Sequence, residues 1–320
     1  MLRIEHLSKT YPNGTRALDD VSLDVPQGMF GLLGPNGAGK STLMRIIATL
    51  QEPDAGTARL GELDVLRDKE GVRRTLGYLP QEFGVYPKVS AHDLLDHFAV
   101  LKGITDRGER RRVVQALLEQ TNLADQRDKQ LGGFSGGMRQ RFGIAVALLG
   151  DPRLIIVDEP TAGLDPEERV RFLNLLASLG ESSVVILSTH IVEDVSELCS
   201  RMAIIDRGRI CLEDEPLAAV ARMRGQVWRR VIARDELAPL QAEQRILSTK
   251  LLAGRTVVRI LADAPPFPGF EPAEPGLEDV YFAAMQERRV AAPVGPDDAT
   301  IATPDARRPT GHGAAVGEGG

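Results

Sequence analysis

Three short runs of this chain combine residue types and spacings that do chemistry. Gly34-Pro35-Asn36-Gly37-Ala38-Gly39-Lys40-Ser41 fits the pattern G-x-x-x-x-G-K-[ST]. It follows an apolar run, Phe30 to Leu33, and opens a helical pattern through Leu43, Met44, Ile46 and Ile47. Glycines let successive backbone N–H groups turn inward, and a helix N-terminus adds positive potential, so the segment suits a polyphosphate. Lys40 is placed to reach β- and γ-phosphates and the Ser41 hydroxyl to hold Mg²⁺, with Thr42 in the same candidate set. The second run, Leu154-Ile155-Ile156-Val157-Asp158-Glu159, is a buried strand that delivers two acids at its C-terminal end, the edge where open α/β sheets bind ligands. Asp158 suits Mg²⁺, directly or through water. Glu159, pointing elsewhere, suits polarising an attacking water. Alone, such a pair is as often a helix cap; beside a phosphate loop it reads as nucleoside triphosphate hydrolysis. The third run, Ser135-Gly136-Gly137, turns into an apolar helix and forms a second anion site.

The elements around these runs follow from hydrophobic period. Residues 1–25 alternate with period two (Leu2 and Ile4; Val21, Leu23 and Val25) around the turn residues Tyr11-Pro12-Asn13-Gly14, which predicts half-buried antiparallel strands. From about residue 28, short apolar runs at Phe30 to Leu33, Leu154 to Val157 and Val184 to Leu187 alternate with helix-length segments. That rhythm predicts a parallel sheet covered by helices on both faces. Residues 90–122 read as two helices without strands, a helical insert within a lobe spanning about 82–150. After residue 222 the texture changes to a small α/β accessory domain over 223–290. It has a strand at Val227 to Ala233, a helix over 235–246, a strand at Thr256 to Ala262, a Pro-rich loop, and a last helix from near Leu277. Residues 291–320 are dominated by Gly, Pro and Ala and are expected to be disordered. No internal repeat is visible.

The 320 residues suggest about two domains. The balance of 39 basic against 45 acidic residues, net −6, argues against general affinity for nucleic acid or an anionic membrane surface. Only seven of the 39 basic residues are Lys, leaving 32 Arg, which says little about chemistry. Two cysteines exclude a disulfide framework and a four-cysteine zinc site; Cys199 and Cys211 are expected as small core residues. No apolar run approaches a membrane span, and the first fifteen residues alternate rather than forming a secretory leader. The expected setting is the cytosol.

A chain with one phosphate loop and a second anion site resembles the ATP-binding cassette (ABC) family. In that family the Ser-Gly-Gly segment of one subunit caps the γ-phosphate held by the other, giving a head-to-tail dimer with two ATPs. The resemblance covers about residues 1–220 through six ordered motifs. Gln81, in Tyr78-Leu79-Pro80-Gln81, matches the glutamine that approaches Mg²⁺ and the attacking water. Gly163-Leu164-Asp165 matches the loop that runs along the dimer interface. His190, in Leu187-Ser188-Thr189-His190, matches the switch histidine that contacts the γ-phosphate. Tyr11 sits where the family places a ring against adenine, although a turn tyrosine also packs its own hairpin. The other histidines (His6, His92, His97, His312) match nothing. Phe134 and Met138 replace the Leu and Gln usual in the segment around Ser135, so capping is expected to survive while the ribose-side contact is in question. The resemblance implies an α/β P-loop NTPase fold with an N-terminal antiparallel β subdomain, ATP and Mg²⁺ as ligands, and an ATP-dependent homodimer.

Within the family three roles compete. Chromosome and repair members insert long coiled coils or zinc modules before the Ser-Gly-Gly segment, but here Gln81 and Ser135 are 54 positions apart with no sustained heptads. Ribosomal members carry two cassettes. The expected role is therefore the ATPase subunit of a transporter, peripheral on the inner face of the membrane and bound to a separate integral membrane permease. Phe83, Val85, Tyr86 and Val89, beside Gln81, are either its docking patch or the core of the helical insert. The Gly-Tyr-Leu-Pro-Gln-Glu82 and Gly-Gly-Met-Arg-Gln-Arg runs, with the terminal Leu277-Glu278-Asp279-Val280-Tyr281-Phe282, look like bacterial multidrug, antibiotic-resistance or polysaccharide exporters. The alternatives are an importer ATPase, or a non-transport ABC ATPase acting on ribosomes or DNA.

Overall fold

The computed structural model describes residues 1–291 apart from 82, 85 and 162. The expected disorder of the tail thus lies, but for residue 291, outside the described residues, as does Val85 of the apolar patch.

Strands β1 (Leu2–Thr10), β2 (Arg16–Val25), β4 (Ala55–Leu60) and β5 (Leu63–Asp64) form an antiparallel sheet in the order β2-β1-β4-β5. Its inner face is the alternating set read from the sequence, with Leu2 opposite Val25 and Ile4 opposite Leu23. A second, six-stranded sheet holds β3 (Gly28–Leu33), β6 (Leu76–Leu79), β7 (Leu154–Asp158), β8 (Val184–Thr189), β9 (Arg201–Asp206) and β10 (Arg209–Asp214). Its order is β10-β9-β3-β8-β7-β6, parallel except for β10 on its edge.

The continuous apolar runs divide between two cores because successive side chains on a strand face opposite ways. Phe30, Leu32, Leu154 and Ile156 join the first sheet and helix α1 (Lys40–Ile47). Met29, Leu33, Ile155 and Val157 pack against α6 (Pro166–Leu179), α7 (Val192–Leu198) and α8 (Pro216–Arg222). Register sets the functional edge. Leu33 pairs with Thr189, Asp158 with Ser188, and Leu79 with Val157, so the chain leaves β3, β6, β7 and β8 at nearly one level.

After the short α2 (Lys69–Arg74), a third core joins α3 (Ala91–Leu101), α4 (Arg107–Gln120) and α5 (Gly136–Ala147). Fully buried Phe142 anchors it, its ring 6.1 Å from Phe83 and 6.4 Å from Phe134, the latter edge-on. Phe134 and half-buried Met138 are therefore filling this core. Phe83 and Val89 pack into it too, so of the described members of the apolar patch only Tyr86, 65% exposed, faces solvent.

The C-terminal segment differs in part from the expectation. Strands β11 (Val227–Ile232), β12 (Ile246–Leu252), β13 (Arg255–Leu261) and β14 (Glu271–Pro272) form a sheet in the order β12-β13-β11-β14, with α9 (Leu237–Glu243) beside it. The helix expected to reach residue 246 ends at 243, and β12 was not foreseen. Its hairpin turns on Ala253 and Gly254, both left-handed (φ 49° and 77°). A two-residue turn of that kind favours Asn-Gly, so Ala-Gly hides the signal. Helix α10 (Leu277–Ala291) lays Leu277, Val280 and Met285 into the core that holds Met29 and Val157.

Replacing Phe142 by Ala removes the ring that the helical lobe closes around. Urea denaturation is expected to show a loss of about 3–5 kcal/mol, the scale for a fully buried phenylalanine.

Candidate nucleotide site

The loop after β3 is shaped by two glycines. A Cβ on Gly34 would come within 2.3 Å of the Ile205 carbonyl oxygen, and one on Gly39 within 2.4 Å of that of Ala17, with Gly39 also left-handed at φ 108°. Only glycine fits either position without shifting backbone. The loop thereby delivers α1 with no side-chain cap and no acid in its first turn, whereas Asp68, Ser90, Asp106, Ser135 and Asp165 cap α2 to α6. Uncapped N–H groups at a helix start suit an anion.

A cavity of about 400 Å³ lies over this helix end. Asn36, Gly37, Gly39, Lys40, Ser41 and Thr42 form its floor, and Tyr11, Gln81 and Glu159 form its walls. Gly34 and Ala38 are buried beneath the loop, and Pro35 faces another cavity toward Leu247 and Phe282. Tyr11 is tied to the helix. Its hydroxyl lies 3.1 Å from Thr42 Oγ1 and donates to Gln51 Oε1 at 3.2 Å. Burial raises the phenol pKa, but these bonds and the charges of Arg45 and Lys9 outweigh it and the net shift is downward. Thr15, Arg16 and Ala17 also line the cavity; they follow the Tyr11 turn and carry no motif that marks them in the sequence.

At the cavity's base three functional groups meet. Lys40 is 5% exposed; its Nζ donates to the carbonyls of Gly34 (2.7 Å) and Pro35 (3.2 Å) and lies 3.2 Å from Glu159 Oε1. That last contact is an ion pair without hydrogen-bond alignment, since Oε1 has no hydrogen-bond partner. Glu159 Oε2 lies 2.6 Å from Nδ1 of His190, which is half exposed. The Glu159 backbone is left-handed (φ 50°), held by its N–H to the Ser188 carbonyl at 2.8 Å. Strained backbone of this kind concentrates where a side chain must be aimed. Asp158, one residue back, is buried with Oδ1 lacking any hydrogen-bond partner. Tyr78 stands near enough that burial and then the Asp158 charge push its phenol upward.

The Ser135 turn is absent from this cavity's lining. Ser135 Oγ accepts from Met138 N–H at 3.2 Å and so caps its own helix. Gly136 faces open space, while a Cβ on Gly137 would meet Glu168 Oε2 at 2.4 Å. One chain therefore brings Lys40, Ser41, Gln81, Glu159 and His190 together and leaves the second anion site elsewhere.

The sequence pattern of ABC transporters matches residues 18–162. The daunorubicin/doxorubicin resistance ATP-binding protein DrrA of Streptomyces peucetius is 36% identical over 262 residues, 81% of this chain and 77% of that protein. The chain belongs to the ABC transporter ATP-binding family. Also similar is the Nod factor export ATP-binding protein I of Paraburkholderia xenovorans, 35% identical over 83% of this chain and 87% of that protein. The ATP-binding cassette MJ0796, solved as a dimer in a post-hydrolysis state with ADP and Pi, superposes with a TM-score of 0.62. It is 27% identical, over 67% of this chain and 98% of that one. As an ABC ATPase, this protein binds ATP and hydrolyses it in support of transport. No helix among the described residues is long and apolar enough to cross a membrane.

The cysteines of this ABC ATPase stand apart from that chemistry. Cys199 is buried between α7 and β3, and burial, reinforced by the charge of Asp194, pushes its thiol up to about 12. Because the thiolate is the reactive form and forms only near that value, Cys199 is expected to stay unlabelled by a disulfide reagent at about pH 8. Half-buried Cys211 reacts first, and Cys199 follows only in denaturant. Mass mapping of the labelled peptides checks this.

Proposed function

We propose that this chain is the ATP-hydrolysing subunit of an ABC exporter. It works as an ATP-dependent homodimer on the cytoplasmic face of the membrane and is bound to a separate permease, with no nucleic acid partner. The observation that carries the reading is the Lys40–Glu159–His190 contact at an uncapped helix start, with the Ser135 turn outside the same cavity. An ATP held by one chain's loop then needs Ser135, Gly136 and Gly137 of a second chain to close over its γ-phosphate. Export rather than import is supported by relatives whose names denote drug resistance and Nod factor export.

The geometry supports the following roles. The loop from Gly34 to Lys40 and the first turn of α1 bind the phosphates, and Tyr11 offers its ring to the base. Lys40 neutralises phosphate charge once it leaves Glu159, since the two compete for one ammonium. Glu159 orients the attacking water and His190 holds Glu159 in place. The orphaned Oδ1 of Asp158, the Ser41 hydroxyl and the Gln81 amide fit Mg²⁺, and among the described residues no group of three or more acids, histidines or cysteines offers an all-protein cage. Mg²⁺ is usually held by one or two carboxylates together with substrate phosphates, and when bound it supplies charge neutralisation. Exposed Tyr86 is the described residue left to meet the permease.

Glu159→Gln tests the reading. It is expected to lower turnover by about 10²–10⁴-fold, the span for a catalytic base. ATP affinity is expected to stay equal or tighten, because the variant frees Lys40 from its ion pair. Unspent ATP then holds the dimer together in gel filtration. Near-normal turnover contradicts the assignment.

A further inference from the structure

The first turn of α6 makes two partly buried polar contacts that the nucleotide site does not use. Arg169 donates from Nε (2.8 Å) and Nη2 (2.6 Å) to Asp194 Oδ1, and Thr161 Oγ1 donates to Asp194 Oδ2 at 2.6 Å. Asp194 is wholly buried, Thr161 nearly so. The preceding residue, Glu168, turns the other way. Its Oε1 lies 3.5 Å from Nη2 of Arg141 on α5 and 3.4 Å from Nη1 of Arg171 on α6 itself, and its Oε2 fills the space a Cβ at Gly137 of α5 would take. Asp165 caps the same turn, accepting from Glu168 N–H at 2.9 Å.

These positions matter because of what they adjoin. Asp194 is four residues past His190, and Thr161 two past Glu159, so the Asp194 carboxylate joins both catalytic segments to α6. Glu168 carries α6 onto the start of the Ser135 helix. A buried carboxylate stripped of its cation is costly to leave uncompensated, so the Arg169–Asp194 pair keeps α6 and α7 moving as one body. We propose that α6 is a strap between the two half-sites of each chain, with Asp194, Arg169 and Glu168 as positioning residues. Through these residues a shift of His190 in one site is passed to Gly137 in the other, so Arg169, Asp194 and Glu168 set how strongly the two sites of the dimer are coupled. This inference rests on the dimer proposed above, and it needs an element whose equilibrium both sites bias.

Steady-state ATPase kinetics of the full chain test it. Wild type is expected to show a Hill coefficient above one. In Arg169→Gln, kcat is expected to fall about tenfold, within the usual range of site–site coupling, with the KM for ATP nearly unchanged and the Hill coefficient near one. Arg169→Lys, which keeps the charge on a partly exposed side chain, restores most of kcat. Glu168→Gln leaves the Asp194 pair intact and is expected to lower the Hill coefficient without lowering the melting temperature, so it carries the test if Arg169→Gln does not fold. Wild-type kcat and cooperativity in either folded variant overturn the strap while leaving the dimer standing. A kcat loss in Arg169→Gln that comes with a raised KM and is not rescued by lysine marks a packing role and overturns it too. A wild-type Hill coefficient of one with no ATP-dependent dimer overturns both readings.

Discussion

A lysine ammonium taken out of water must find counter-charge, because the desolvation of an unpaired cation costs several kcal/mol. Lys40 meets that requirement with two loop carbonyls and Glu159, and much of the molecule serves to bring those partners within reach. The loop carbonyls face inward because Gly34 and Gly39 permit a path that a Cβ would block. Glu159 arrives because β7 lies one strand from β3 across β8, in a register that sets Asp158 beside Ser188 and Leu33 beside Thr189. The same register brings His190 onto the other oxygen of Glu159. On the proposed mechanism an incoming triphosphate offers Lys40 a stronger counter-charge, so binding ATP and releasing Glu159 toward water are two sides of one exchange.

That exchange stays local unless something rigid carries it. The sheet edge bears four loops, after β3, β6, β7 and β8, and the Arg169–Asp194–Thr161 cluster ties the last two of them to α6. The helical lobe closes around Phe142 and presents Ser135 and Gly136 outward, away from its own chain's phosphate loop. In the dimer proposed above, separating the two anion sites within a chain gives each subunit half of two sites, and a second copy of the chain supplies the missing halves.

Much of this was legible before the structure, for physical reasons that differ by region. Parallel strands buried on both faces must be continuous apolar runs, so Phe30 to Leu33, Leu154 to Val157 and Val184 to Leu187 declared the central sheet. The phosphate loop was readable because its chemistry demands glycines and a lysine at fixed spacing. The strand β12 was not, since Ala253 adopts a left-handed turn for which alanine carries no signal. Phe83 and Val89 were ambiguous because a short segment without period does not say which face is covered. Asp194, Arg169 and Glu168 went unnoticed as a set. They lie on separate helices or on one helix at no diagnostic spacing, and only tertiary packing brings them together. The two glycines after Ser135 were read alike, yet Gly136 is open and Gly137 makes room for Glu168.

In the proposed dimer, one chain's Lys40 and a second chain's Ser135 complete a single ATP site. The most direct measurement mixes two variants, Lys40→Ala and Ser135→Arg, and follows ATP turnover of each alone and of the equal mixture. Each variant alone lacks half of every site and is predicted to be inactive. A mixed dimer regains one intact site, formed by Lys40 of the Ser135→Arg subunit and Ser135 of the Lys40→Ala subunit, and the mixture is predicted to hydrolyse ATP. A mixture as inactive as its components, or a Ser135→Arg protein that is fully active alone, contradicts the account.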